Sequence, residues 1–145
     1  MRRTILTLAT ATATAAVALA PASALAAAPG NGAWKGKIAY QGYEISFKVK
    51  NGRMTDVAAR LLADCDRDGY TESMTLAPKG SFPIRNGRVK ATVKDRYDDS
   101  IANYELDVRF SGSSAKGSIR EWDFVEGSGI VCDTLKRDFT AKRGG

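Results

Sequence analysis

The stretch Tyr43-Glu44-Ile45-Ser46-Phe47-Lys48-Val49-Lys50-Asn51-Gly52 decides the fold class. Tyr43, Ile45, Phe47 and Val49 are apolar, and the residues between them are polar. A period of two puts one set on each face of a strand, one face inward and one wet. Asn51-Gly52 then supplies two residues that tolerate positive φ, as a tight hairpin turn requires. Asn86-Gly87 is a second turn of the same kind.

The alternation extends in both directions. Upstream, Trp34, Gly36, Ile38 and Tyr40 alternate with Lys35, Lys37 and Ala39, and Gln41-Gly42 turns the chain. Downstream, Met54 to Leu62 carries Val57, Ala59 and Leu61 on one face. Ala58 to Leu62 also has good helix propensity, but the hairpin turn before it favours a strand. Further strands are read over Glu72–Leu76, Phe82–Ile84 (at an edge, because of Pro83), Val89–Val93 and Ala102–Phe110. In Gly117, Ile119, Trp122 and Phe124 the apolar phase slips at Arg120-Glu121, which predicts a bulge. A final strand opens at Cys132 with Leu135, Phe139 and Ala141 toward the core. The chain therefore reads as all-β, an antiparallel meander of eight or nine strands forming a small barrel or a two-sheet sandwich.

The N-terminus has another character. Met1-Arg2-Arg3 is cationic, Ile5 to Leu19 is uncharged and apolar, and Ala24-Leu25-Ala26 has the small-x-small pattern of a cleavage site. This is the layout of a secretory signal peptide. The apolar run is shorter than the roughly 20 residues of a spanning helix. The expected organisation is a signal peptide over 1–26, a flexible lead-in over 27–32 and a single all-β domain over 33–145. The product is secreted to the extracellular space, with no membrane span in the mature chain. Arg2-Arg3 leaves ordinary and twin-arginine export both open.

Charge and composition exclude several functions. Without Arg2 and Arg3 the chain keeps 20 basic against 16 acidic residues, a net charge of +4. The excess is mild and the signs alternate along the chain, so nucleic acid is not an expected partner. Histidine is absent, which removes every Ser-His or Cys-His arrangement and the commonest metal ligand. The only two cysteines, Cys65 and Cys132, are expected to form a disulfide in an exported chain.

Cys65 lies within Asp64-Cys65-Asp66-Arg67-Asp68-Gly69-Tyr70-Thr71-Glu72. Asp64, Asp66, Asp68 and Glu72, with the backbone carbonyl of Tyr70, have the spacing of a calcium loop, since alternate carboxylates on a tight loop can converge on a hard cation. The competing reading is an acidic, solvated turn. Asp95, Asp98, Asp99, Glu105, Asp107, Glu121 and Asp123 offer carboxylate pairs of the kind that hydrolyse glycosides. Alternation is expected to send most of them to solvent, so no catalytic residue is assigned and the protein is not read as an enzyme. Trp34, Tyr40, Tyr43, Tyr104 and Trp122 are candidates for a binding surface, or else core and rim aromatics. Lys35, Lys37, Lys48, Lys50, Lys90 and Lys94 are read as solubilising residues that protect strand edges.

Gly36, Ile45-Ser46-Phe47, Asn51-Gly52-Arg53, Cys65, Phe82, Asn86-Gly87-Arg88-Val89, Phe110-Ser111-Gly112, Ala115 to Ile119, Cys132 and Phe139 to Arg143 together resemble small secreted actinobacterial proteins of unassigned biochemistry. These are turn and core motifs, so the resemblance implies fold and export and no catalytic residues. Gly32-Ala33-Trp34 is similar to the opening Gly-x-Trp of lipocalin-like barrels, a resemblance that implies Arg143 stacking on Trp34. The functional expectation is an extracellular binding or accessory module whose partner is a protein, a glycan or a small ligand. The alternatives are an inhibitor of a secreted hydrolase, with Asp95–Ser100 or Val125–Val131 as its loop, and a lipocalin-like carrier with an enclosed apolar cavity.

Overall fold

Asn51 and Gly52 take φ of 52° and 70°, and Asn86 and Gly87 take 49° and 67°, so both Asn-Gly pairs form the expected hairpin turns. The computed structural model describes residues 28–66 and 71–144. The signal peptide over 1–26 and the calcium-loop candidates Asp68 and Tyr70 lie outside the described residues.

Among the described residues the chain forms ten antiparallel strands: β1 Gly32–Ile38, β2 Glu44–Lys50, β3 Arg53–Cys65, β4 Thr71–Leu76, β5 Ser81–Pro83, β6 Arg88–Arg96, β7 Ser100–Ser111, β8 Ser114–Val125, β9 Ile130–Asp133 and β10 Arg137–Arg143. The ladder runs from β1 through β2, β3, β9 and β8 to β10, and β10 pairs back to β1. This is a closed six-stranded barrel. From its wall, β3 carries β4 and β5 on its other edge, and β8 carries β7 and then β6.

Between the two readings of Ala58–Leu62, strand is the observed one. Met54, Val57, Ala59, Leu61, Ala63 and Cys65 all face inward from β3. Met54 and Val57 are three positions apart, and strict alternation would send one of them out. A register irregularity at Ser46/Lys48, with Asp56 at φ 51°, absorbs the extra residue. The bulge expected at Arg120-Glu121 is absent. β7 and β8 pair in unbroken register from Ser111↔Ser114 to Ser100↔Val125. The apolar phase slips there because the inward positions of β8 carry acids, as described below.

The last segment also differs from expectation, as it divides into β9 and β10. Between them Thr134 is 0% exposed and Leu135 is 48% exposed at φ 56°. Thr134 bridges the break by donating its N–H to the Glu121 carbonyl and accepting the Glu121 N–H on Oγ1, both at 2.9 Å. Its hydroxyl therefore supplies the ladder bond that the broken strand lacks, and Leu135 is displaced outward.

One apolar cluster gathers side chains from β1–β8 and β10. Its centre is aromatic: the Trp34 ring stacks on Phe47 at 5.8 Å and meets the edge of Phe110 at 5.2 Å, with Phe139 6.5 Å from Phe47. Two close strand approaches require a residue without a Cβ, β1 against β10 at Gly36 and β8 against β7 at Gly117. A Cβ on Gly36 would lie 1.9 Å from the Thr140 carbonyl oxygen, and one on Gly117 would lie 2.5 Å from the Asp107 carbonyl oxygen.

Cys65 and Cys132 are joined, and they are directly opposed in the β3–β9 register. The bond secures a contact that otherwise rests on two register pairs, and it is compatible with an extracellular location.

Two measurements test this architecture. Gly36→Ala should destabilise the domain by about 3 kcal/mol, because the atom in the way is backbone and cannot rotate aside. Urea unfolding reads this, and an unchanged midpoint would show that β1 and β10 can move apart. Reducing the Cys65–Cys132 bond, whose partners are 67 residues apart, should cost about 4 kcal/mol. The same unfolding curve with and without reductant measures it.

Candidate functional site

Strand alternation separates the proposed calcium ligands. Asp64 pairs with Thr71 and accepts its hydroxyl at 3.3 Å, whereas Glu72 pairs with Ala63 on the opposite face. Glu72 therefore turns toward the disulfide, its carboxylate within 4.8 Å of both sulfurs. Asp66 accepts the Val131 N–H at 3.0 Å and so helps to hold β9. Asp64 and Glu72 do not converge on one point.

The carboxylates of β6–β8 divide by face. Asp98, Asp99 and Glu105 are exposed and Asp107 is half-buried, as alternation implies. Asp95, Glu121 and Asp123 turn inward instead, contrary to the expectation of a solvated face. Asp95 accepts the Lys79 N–H at 2.9 Å. Glu121 is 3% exposed, lies opposite Tyr104 and has an Oε2 with no partner. Asp123, opposite Cys132, has a buried Oδ1 without a partner. Burial first, and the neighbouring Asp123 second, push the Glu121 carboxyl up to about 8, against the Tyr104 hydrogen bond that favours its ionised form. Burial and then Glu72 push Asp123 up to about 6. Burial, helped by Tyr97 and Glu121, also raises the Tyr104 hydroxyl. Sequence reasoning missed this cluster, although the slip of the apolar phase at Arg120-Glu121 marked it.

The aromatics divide as well. Trp34 and Tyr104 are buried at 0% and 1% exposure, so neither belongs to a binding surface. Tyr43 packs against the core beneath Arg60, and Trp122 lies under Arg120, whose guanidinium carbon is 4.8 Å from the ring centre. Tyr40 is fully exposed. Arg143 lies opposite Trp34 in the β1–β10 register, with its side chain against Gly30.

The most distinctive surface is the outer face of β1, β10, β8, β7 and β6. Successive register pairs place Lys37, Thr140, Lys116, Arg109 and Arg88 in one row across these five strands. At the usual strand spacing the row spans about 19 Å. Around it stand Lys35, Lys90, Arg120, Lys136 and Lys142, against the acids Glu105, Asp107 and Asp138. With Asp133, which pairs with Arg120, the face carries nine basic and four acidic residues, so its net charge of +5 exceeds the +4 of the chain without Arg2 and Arg3. Charges that alternate along the sequence are thus segregated in space. An open groove of about 680 Å³ runs over the row, continuous with a second of about 550 Å³ at Lys35 and Lys142.

Like charges directly opposed across strands are destabilising, and this face has three such pairs: Lys35↔Lys142, Lys116↔Arg109 and Arg109↔Arg88. Few of the charges are neutralised. Arg88 forms a bidentate pair with Asp107, which raises the guanidinium and lowers the carboxyl from their usual ranges. Arg120 pairs with Asp133 at 2.6 and 3.0 Å. Among the described residues the other seven cations have no carboxylate within 4.0 Å. Edge protection does not explain them all, since β1 is paired on both sides.

No protein-family model matches the chain, and no curated protein or solved structure matches it either.

The inward acids give a pH dependence of unusual sign. Both folded values lie above the ordinary 4.5 and 3.8, so folding is favoured while both groups keep their protons. That stability is complete below about pH 4 and is lost as pH rises through 6 and then 8. Thermal unfolding should occur at a higher temperature at pH 5 than at pH 9. Glu121→Gln should remove the upper part of the decline, on the order of 4 kcal/mol. A variant that declines as steeply as the parent would show that Glu121 does not carry the effect.

Proposed function

We propose that the protein is an exported, non-catalytic binding module whose basic sheet face takes an anionic partner rich in phosphate or carboxylate. The row Lys37–Thr140–Lys116–Arg109–Arg88 carries this reading. Opposed like charges cost the free protein stability, and an anion laid along the row would relieve the repulsion in proportion to the charge it brings. The signal-like N-terminus and the Cys65–Cys132 bond support export. The lack of histidine supports a non-catalytic role. The aromatic packing of Trp34, Phe47, Phe110 and Phe139 fills the interior, which favours surface binding over the carriage of an enclosed ligand.

A second reading, inhibition of a secreted hydrolase, has one observation in its favour. The two loops expected to serve it are joined, with the Glu126 N–H donating to the Asp99 carbonyl at 2.8 Å and Arg96 paired to Glu126 at 2.9 Å.

Long-chain inorganic polyphosphate is a suitable probe for the leading reading. Binding should weaken steeply with salt. The double variant Lys116→Glu/Arg109→Glu should bind at least tenfold more weakly, about 1.4 kcal/mol. Lys48→Glu, at a lysine already paired with Asp56 at 3.1 Å on β2, should bind like the parent. Equal affinity of parent and double variant would remove the basic face from the function.

A further inference from the structure

We infer that the anionic partner is a lipid surface, and that Tyr40 and Leu135 enter it at one end of the basic face. This rests on the anion-binding reading above and names the partner of the same site. Two connections meet at this end. The turn after β1 carries Tyr40, one residue beyond the hydrogen bond from Ala39 N–H to the Asp138 carbonyl. The connection from β9 to β10 carries Leu135, three residues before Asp138. Lys37 and Lys136 stand beside them and line the larger groove together with Ile38 and Ala39.

Single exposed apolar residues are ordinary on a protein surface. These two differ in how they are held. Both lie in the left-handed region, at φ 64° for Tyr40 and 56° for Leu135, which side chains other than Gly, Asn and Asp seldom occupy. Leu135 is fixed there by a set of hydrogen bonds. Its N–H donates to Asp133 Oδ1 at 2.7 Å, its carbonyl accepts the Thr134 hydroxyl at 3.1 Å, and Arg137 Nε donates to the Thr134 carbonyl at 2.8 Å. The turn bearing Tyr40 is tied down by Gln41, whose Oε1 accepts the Leu62 N–H at 3.3 Å. Backbone strain of this kind persists only where the surroundings enforce it. Here it presents a tyrosine and a leucine to solvent beside unpaired lysines.

A soluble polyanion would neutralise the lysines but has no apolar phase for Leu135. An anionic bilayer offers both, since its surface attracts clustered cations and its interface accepts tyrosine and leucine side chains. That difference favours lipid over polymer.

Sedimentation with vesicles tests the inference on the mature chain. The parent should partition onto vesicles of equal phosphatidylcholine and phosphatidylglycerol and not onto phosphatidylcholine alone. The double variant Tyr40→Asn/Leu135→Asn places at both positions a residue that tolerates the left-handed backbone, so the fold is kept. It should lose at least tenfold in vesicle partitioning while binding polyphosphate like the parent. Unchanged partitioning of this variant would overturn the insertion of Tyr40 and Leu135. A parent that binds polyphosphate but no vesicle would identify a soluble polymer as the partner, overturning the lipid inference and leaving the anion-binding reading intact. If Lys116→Glu/Arg109→Glu alters neither kind of binding, both fail.

Discussion

β10 can lie against β1 because Gly36, opposite Ala141, has no side chain to strike the Thr140 backbone, and Gly117 in the same way lets β8 lie against β7. Much of the structure depends on the first of these approaches. With β10 seated, β1 has a partner on both sides, the ladder closes, and the inward faces of the strands share one apolar cluster. Closure leaves no free edge on β1 or β10, whereas β4, β5 and β6 each pair on one side only among the described residues. Trp34, Phe47 and Phe139 come from three strands of the closed ladder and Phe110 from β7 beyond it, so the aromatic centre joins the barrel to the strands on its wall.

The opposite side of the barrel is closed by weaker means. β9 spans the distance between β3 and β8 with only four residues, and the disulfide carries part of the burden. The interior there is not apolar. Glu121 and Asp123 lie near the sulfur bridge and Tyr104, and desolvation favours the protonated forms of these two acids. A protein usually gains stability from its carboxylates as they ionise. Here two of them oppose the fold on ionisation, because burial of Glu121 and of Asp123 Oδ1 costs the charge part of its hydration.

Charge on the outside follows the same geometry. Cross-strand neighbours lie about 5 Å apart, closer than most residues of the same strand and face, so register rather than sequence sets which charges meet. Lys37, Lys116, Arg109 and Arg88 come from four separate strands and fall in one row. The proposed function and the proposed lipid partner both depend on this row, and on the two strained residues at its end.

The local pattern of the chain was enough to establish strands, turns and covalent closure. Alternation over 43–50, the two Asn-Gly turns and the paired cysteines are properties of neighbouring residues or of simple pairing, and each is found in the structure. Other features had no local signature. Apolar phase at Arg120-Glu121 read as a bulge, since one sequence cannot tell a shifted strand from an unshifted one that turns acids inward; the unbroken β7–β8 register resolves it. Leu135 read as core by periodicity, until the ladder bonds of Thr134 displaced it. The calcium reading assumed one loop, whereas pairing of β3 with β4 sends Asp64 and Glu72 to opposite faces. Nor does any stretch of sequence show a basic row, because its members are up to 103 residues apart, from Lys37 to Thr140, and meet only through backbone hydrogen bonds. Short-range chemistry therefore specifies the elements. Register, which depends on how all the strands close together, specifies what stands beside what.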